Sequence, residues 1–524
     1  MKFLFTLLIS LWCCVNMFGT CLTLGNQGCV RFEFKTTPSS DQYTTIPSNQ
    51  NDLNWFNSKI SKIVGYSTYW DSRIPSYNAE SWFYQDSSAI YLNSADARNH
   101  PNWILKNQYG VWMYINYNCY GNGTCAQYAV DYSNEDFRKW WIAKARATFD
   151  KGYKGIFIDD VNFQMNLSNG WNADTPIDPN TGENMTQQNW EKYFAGFLKE
   201  VRQAFADKTI THNALWFAGM PKSDSYISEE VSSANFINLE RGFDDSGLTT
   251  GTGFWTVNNF MTYIDQVNSY PNTKVLLEQY GYDNNDFALA CYLLVNNGGD
   301  LFANDGINPN SWNNHYDVNL GSAKNSRYTW NNLTRRDFAK GIVLVNLTGT
   351  TIKTDLPDEY KTFDGTIIDS ITLDPKESAV LTYYGSTILP NGTYFVYSGV
   401  GNNLVLDDPN WATHSGIQPD LWSYNGGKNQ SWKFISIGNN VYTIQCVSNG
   451  LYLTSPTGFN KVTLETKISS DLQAWTLKKD GKSYVIVNKQ TGLALADPAS
   501  SKTQGTGVIV WYVDNGIEQN WEIH

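Results

Sequence analysis

Basic charge is scarce in this 524-residue chain. Its 38 Lys and Arg are outnumbered by 50 Asp and Glu, giving a net charge of −12. No basic surplus remains to neutralise phosphates, which argues against nucleic acid and anionic membranes as partners. Histidine is rarer still, with 5 residues scattered along the chain. No Cys/His spacing reads as a metal site, and no motif asks for a cofactor. A Gly-X-Ser-X-Gly elbow and a His-Glu-X-X-His helix are both missing, so serine-hydrolase and zinc-protease chemistry have no anchor. Beyond the N-terminus, no apolar run is long enough to span a bilayer. Nothing points to an oligomer.

The 8 Cys are few for a chain of this length. Two of them, Cys13 and Cys14, fall in an apolar run from Phe3 to Phe18 that follows Lys2 and ends near Gly19 and Thr20. That run reads as a secretory signal over residues 1–20. Cys119 and Cys125 flank a Gly-Asn-Gly turn and are expected to form a local disulfide. Cys21 and Cys29 are a weaker candidate pair, and Cys291 and Cys446 read as buried thiols. Seven sequons begin at Asn122, Asn166, Asn184, Asn332, Asn346, Asn391 and Asn429. They agree with an extracellular protein.

What the chain has in abundance is aromatic surface: 15% of residues, including 20 Trp and 32 Tyr. Such rings suit stacking on sugars, or simply a β-rich core. Between residues 55 and 335, short apolar runs alternate with helical patterns. Strands are expected at Lys62–Thr68, Ser88–Asn93, Val111–Asn116, Gly155–Asp159, Thr209–Phe217, Phe236–Glu240, Lys274–Glu278 and Asp300–Ala303. Helices are expected at Phe137–Phe149, Trp190–Phe205, Val257–Val267 and Asp286–Val295. Eight such units imply an α/β chain folded as a (β/α)₈ TIM barrel. The alternative, a doubly wound open sheet, would want a Gly-rich turn after the first strand, where Tyr69-Trp70-Asp71 stands instead. Residues 336–388 change to antiparallel patterns and read as a small β-sandwich.

From residue 390 to 524 the chain repeats. Gln430-Ser-Trp432, Gln473-Ala-Trp475 and Gln519-Asn-Trp521 share Gln-X-Trp at spacings of 43 and 46 residues. Each follows a related strand: Asn403-Leu-Val-Leu-Asp407, Gly450-Leu-Tyr-Leu-Thr454 and Gly492-Leu-Ala-Leu-Ala496. This segment resembles the ricin-type β-trefoil lectin module. The resemblance implies sugar binding in the first lobe by Asp407, the ring of Trp422, and Asn429 with Gln430. The second lobe has Thr454 in place of the Asp. The third has Ala496 with Asp497 adjacent, Trp511 as platform, and Glu518 in place of the Asn. Asn429 also begins a sequon, and a glycan there would obstruct the first pocket.

Glycoside hydrolysis needs two carboxyl groups held a few ångströms apart, and strand ends of a parallel barrel face the active site. Asp159 or Asp160 ends one strand, Glu240 and Glu278 end two others, and Asp305 follows the last. Alternation along a strand would keep Asp159 and Asp160 from facing inward together. The run Gly155-Ile-Phe-Ile-Asp-Asp160, followed by a strand ending in Glu240, resembles the secreted barrel glycosidases around endo-α-1,4-polygalactosaminidase and the uncharacterised glycosidase-like families near them. That resemblance implies Asp159 and Glu240 as the catalytic carboxylates. Glu240, beside Leu239 and Phe243, suits the proton donor, with Asp159 as nucleophile or charge stabiliser; the reverse assignment stays open. Tyr66, Trp70, Tyr114, Trp216 and Tyr280 are the candidate sugar platforms, and His212 lines either the mouth or the core. The expected protein is a secreted glycosidase acting on a polysaccharide or glycan. The alternative is an inactive barrel serving as the scaffold of an extracellular lectin.

Overall fold

A computed structural model of the chain describes residues 29–33, 54–55, 58–66, 68, 71, 74–78, 80–279, 285–304, 312–384, 389–401, 403–438, 440–459, 461–480, 482–514 and 516–524. Trp70, Tyr280, Asp305, Cys21 and the expected signal segment lie outside them. The chain divides into two compact units, Met1–Asp355 with Lys361–Thr382, and Leu356–Tyr360 with Tyr383–His524.

In the first unit, eight strands close a barrel: β1 Cys29–Glu33, β2 Ile60–Gly65, β3 Trp82–Asp86, β4 Gly155–Val161, β5 Thr209–Ala214, β6 Phe236–Leu239, β7 Lys274–Gln279 and β8 Leu301–Asn304. Each pairs in parallel with its sequence neighbours, and β1 closes on β8. From β3 onward, the crossovers carry α1 Glu135–Phe149, α2 Gln187–Ala204, α3 Ser225–Ser233, α4 Val257–Asn268 and α5 Asn285–Val295. These helices form because apolar residues recur every three or four positions. α1 buries Phe137, Trp141, Ala145 and Phe149, and α2 buries Trp190, Phe194, Leu198 and Val201. Asn134 and Thr186 cap them by accepting first-turn backbone N–H groups, satisfying donors the helix leaves open. Each large side chain so buried contributes about 1.5–3 kcal/mol. At the start of β4, a Cβ on Gly155 would meet the Trp82 ring at 2.2 Å, so only glycine lets β4 lie against that indole.

Three strand expectations are corrected. The barrel begins at Cys29, ahead of the expected residue 55, and Cys29 is buried in β1. The third strand is Trp82–Asp86, not Ser88–Asn93; the latter is a loop that buries Ala89 and Ile90 and turns at Ala89, φ 51°. Val111–Asn116 is outside the barrel: Tyr114–Ile115 pairs antiparallel with Leu167–Ser168. The count of eight survives only because two strands were missed, Cys29–Glu33 and Trp82–Asp86, and two were added, Ser88–Asn93 and Val111–Asn116. Thr209–Phe217 is also shorter as a strand, ending at Ala214 before a 3-10 turn at Trp216–Ala218.

Downstream, six strands form one sheet: β9 Tyr328–Trp330, β10 Leu333–Phe338, β11 Gly341–Val345, β12 Ile352–Lys361, β13 Ile367–Leu373 and β14 Ser378–Tyr383. Phe338, Val343, Val345 and Val380 join the core cluster of the barrel helices. The Arg336 guanidinium donates to the carbonyls of Leu293 and Asn296 at the end of α5, at 2.8 and 2.7 Å.

The second unit buries the three repeat tryptophans in one core. Trp432, Trp475 and Trp521 donate their indole N–H to the carbonyls of Leu406, Leu453 and Leu495 at 2.9, 2.8 and 3.0 Å. The preceding glutamines also repeat their bonds. Gln430, Gln473 and Gln519 accept from Asn425, Ile468 and Asp514 and donate to Ser423, Thr466 and Tyr512. Gln-X-Trp is thus the fastening of each lobe of a β-trefoil. Among the described residues, no helix is long and apolar enough to cross a membrane.

Candidate active site

Residues two apart on a strand share a face, and that rule furnishes the mouth of the barrel. Val30, Phe32, Val64, Trp82, Phe157, Leu276, Leu301 and Ala303 fill the interior. One step further along, the inward positions turn polar: Tyr84 and Asp86 on β3, Asp159 on β4, Asn213 on β5, Asn238 and then Glu240 at β6, and Glu278 on β7. A cavity of about 590 Å³ opens there, and its lining includes Tyr84, Asp86, Asp159, Asp160, Glu240 and Glu278. Among the described residues, no group of His, Cys, Asp and Glu is arranged to hold a metal ion.

Asp159 and Asp160 both line this cavity, against the alternation expected of a strand. Between Ile158 and Val161 the pairing with β5 shifts, so two residues of β4 stand opposite Asn213 alone. Asp160 takes the left-handed conformation, φ 56°. Such a bulge re-aims a side chain at the cost of local strain. The Ser87 hydroxyl donates to the Asp160 carbonyl at 2.9 Å, and the Gln127 amide donates to its carboxylate at 2.6 Å.

Opposite the bulge, the Asn213 side-chain nitrogen donates to Asp159 Oδ1 at 2.7 Å and to Glu240 Oε2 at 3.0 Å. Those bonds laid end to end, 2.7 and 3.0 Å, cap the separation of the two oxygens at 5.7 Å. Asn213 Oδ1 accepts from Asn238 at 2.9 Å, and Asn238 donates also to Glu278 at 2.7 Å. Two amides therefore wire three carboxylates together. Asp159 accepts further from the Tyr84 hydroxyl at 2.5 Å and from the Asp160 N–H at 2.8 Å. The same Tyr84 oxygen lies 2.6 Å from Asp86, which also accepts from Tyr91.

Burial, then the Asp86 charge, pushes the Asp159 carboxyl above its ordinary value, opposed by the bonds from Tyr84, Asn213 and the Asp160 N–H. Asp160 is pushed up to about 8, chiefly by burial and then by Asp159 and Asp86. The phenol of Tyr84 is raised by burial and by the two carboxylates beside it.

Tyr66 and Trp216 line the cavity, with Tyr117 and Trp255. Tyr66 stacks on Tyr84, ring centres 4.0 Å apart, and Trp216 on Phe254 at 5.1 Å. Tyr114 does not reach it; it is buried against Tyr128 because its segment is not a barrel strand. His212 is buried in the wall beside Glu230 of α3, 2.8 Å away. Sequence reasoning missed Tyr84, Asp86, Asn213, Asn238 and Gln127. The signal for two of them was present: Trp82-Phe-Tyr-Gln-Asp86, like Gly155–Asp159, is a short aromatic run ending in Asp.

In the trefoil, the first lobe assembles the expected group. Asp407, opposite Asp420 at the edge of its strand pair, accepts from Asn429 at 2.8 Å. The Trp422 ring is exposed. Burial pushes Asp407 up to about 7. Strand registers align Ala496 with Asp407 and Trp511 with Trp422. Asp497 does not stand in for the missing acid; it is fully buried, bonded to Ser398 and the Ser501 N–H. In the second lobe Glu465 occupies the platform position. The Cys119–Cys125 disulfide is formed across a two-stranded hairpin.

Residues 394–521 match the ricin-type β-trefoil lectin domain. Among solved structures, the designed threefold protein ThreeFoil shares 26% identity over 25% of this chain and 98% of its own, TM-score 0.25. The Rhizoctonia solani agglutinin shares 22% over 26% and 98%, TM-score 0.24. An exo-β-1,3-galactanase from Clostridium thermocellum shares 17% over 39% of this chain and 44% of that enzyme, TM-score 0.24. No curated protein matches the chain. The barrel and the start of the following sheet, residues 62–342, match over more than half of the sequence a single family, and the chain belongs to it: hypothetical glycosyl hydrolase family 15.

Proposed function

We propose that this chain is a secreted glycoside hydrolase in which Asp159 and Glu240 cleave the glycosidic bond and the trefoil holds the enzyme on its polysaccharide. The observation that carries the reading is the Asn213 amide shared by Asp159 and Glu240. Its 5.7 Å cap on the closest oxygens suits the roughly 5–5.5 Å spacing of retaining enzymes and falls short of the roughly 6.5–9.5 Å of inverting ones. Asp159, half-buried and gripped by three donors, is the nucleophile. Its oxygen bonds to the anomeric carbon as the glycosidic C–O bond breaks, and Glu240 protonates the leaving oxygen. Glu240 then takes a proton from water, whose oxygen displaces Asp159 from the sugar. Its exposed position at the rim suits proton exchange with solvent. Tyr66, Tyr117 and Trp255 offer ring surface to the saccharide, while Trp216, buried against Phe254 and Phe260, backs the wall. Tethering by the trefoil raises local substrate concentration without new chemistry. The disulfide and the exposed sequons support export.

The test is hydrolysis of a polysaccharide panel by the wild type, Asp159→Asn and Glu240→Gln. Wild-type cleavage that falls by about 10³-fold or more in both variants supports the assignment. Cleavage undiminished in either removes that residue from the pair, and no cleavage by the wild type leaves a carbohydrate-binding scaffold.

A further inference from the structure

A phenol has one hydrogen, so Tyr84 can donate to one acceptor only. Yet its oxygen lies 2.6 Å from Asp86 Oδ1 and 2.5 Å from Asp159 Oδ2. Two contacts of that length need two hydrogens, and the second has to come from a carboxyl group. Were both acids ionised, one carboxylate oxygen would face the phenol oxygen with no proton between them, and the burial of Asp86 would leave that repulsion poorly screened on its side. We propose that Asp86 and Asp159 hold one proton between them across Tyr84, and that Asp86 carries it when Asp159 acts as an anion.

The surroundings favour retention of that proton. Asp86 is 4% exposed. It faces Tyr84 on its own strand, Tyr91 in the following loop, Asp159 and Asp160 on β4, Tyr132 ahead of α1, and Lys144 on α1. Three carboxyl groups thus lie together, and the one ammonium beside them, Lys144, also faces Asp96. The transfer balances without outside help: the Asp159 proton passes to the Tyr84 oxygen as the Tyr84 proton passes to Asp86. The arrangement also answers a need of the chemistry. Burial works against an ionised Asp159, and a neutral Asp86 behind the phenol removes the nearest opposing charge and turns Tyr84 toward the nucleophile. Asp86 and Tyr84 are on this account positioning residues. The use made of the anion rests on the proposed function, whereas the shared proton does not.

Asp86→Asn presents an N–H where the neutral acid presents O–H, and Asp86→Ala presents nothing. Loss of about tenfold or more in kcat for the alanine variant, most of it recovered by asparagine, is the expected order. The pH profile of kcat/KM should lose, in Asp86→Asn, the limb that reports the pair's last proton. Infrared spectra at neutral pH, taken in an Asp160→Asn background, are expected to lose one protonated-carboxyl band on adding Asp86→Asn. An unchanged infrared spectrum, or asparagine no better than alanine with the fold intact, overturns the proposal. Absence of wild-type hydrolysis with the band lost as expected sinks the glycosidase reading and upholds the shared proton. Hydrolysis with no band lost does the reverse.

Discussion

Asp159 and Asp160 are chain neighbours that open onto the same cavity, because a bulge at β4 puts Asp160 at φ 56° and leaves Asn213 facing both. A strand without that extra residue would send one carboxyl into the barrel and the other into its wall. The site therefore depends on a backbone irregularity as much as on its acids.

Asp160 makes stability depend on pH in a definite direction. Its carboxyl is pushed up to about 8 in the fold, against about 3.9 in the unfolded chain. Between those values the folded state binds more protons, so its contribution is full below about pH 4 and is lost as pH rises through about 8. The thermal midpoint should fall over that window, and Asp407, raised to about 7, adds to the same trend. Asp160→Asn should flatten the dependence and raise the midpoint near pH 8 by about 4 °C or more. A variant whose midpoint tracks the wild type at every pH would remove Asp160 as a source of the effect.

Asn213 is expected to matter nearly as much as the acids it joins. Replacing it with Ala removes one donor from each carboxylate and frees their spacing. A fall of about 10²-fold in kcat/KM with the thermal midpoint little changed is the expected result, comparable to loss of one donor at a charged transition state. Kinetics within a factor of about three of wild type would show the bridge to be incidental.

For the trefoil, glycan binding by the full chain should weaken at least about tenfold in both Asp407→Ala and Trp422→Ala. An ionised carboxylate is the better acceptor for sugar hydroxyls. Binding should therefore strengthen as pH rises through about 7, the value to which Asp407 is raised. Array signals that survive both substitutions would place the sugar elsewhere.

Sequon occupancy offers an independent check on export and on the first lobe. Asn122, Asn166, Asn184, Asn332 and Asn391 are exposed. Asn346 and Asn429 are buried, their amide nitrogens donating to Thr350 and Leu373, and to Asp407. Mass spectrometry of protein made through a secretory route should find glycans among the first five and none on the last two. A glycan on Asn429 would contradict the pocket as built.

The sequence made some of this plain and hid the rest for physical reasons. Gly155–Asp160 was legible because a buried parallel strand is a near-continuous apolar run. The trefoil was legible because Gln-X-Trp recurs wherever a lobe must be fastened. β3 was not, since Tyr84, Gln85 and Asp86 break its apolar pattern while Ala89, Ile90 and Leu92 in the next loop imitate one. β1, five residues beside an N-terminal apolar segment, carries too little pattern to stand out. Asn213 and Asn238 belong to no motif at all. An amide is chosen there because it donates without adding charge, and only three-dimensional proximity to the acids reveals the need.

The most direct test of the Asp159–Glu240 pair is azide rescue, run on the best substrate of the panel with Asp159→Ala and Glu240→Ala. If the two act as nucleophile and acid/base of a retaining enzyme, azide should enter the space vacated in Asp159→Ala and yield a glycosyl azide of inverted anomeric configuration. In Glu240→Ala it should capture the glycosyl-enzyme and yield the retained configuration. No rescue in either variant, with wild-type hydrolysis proceeding by inversion, would contradict the account.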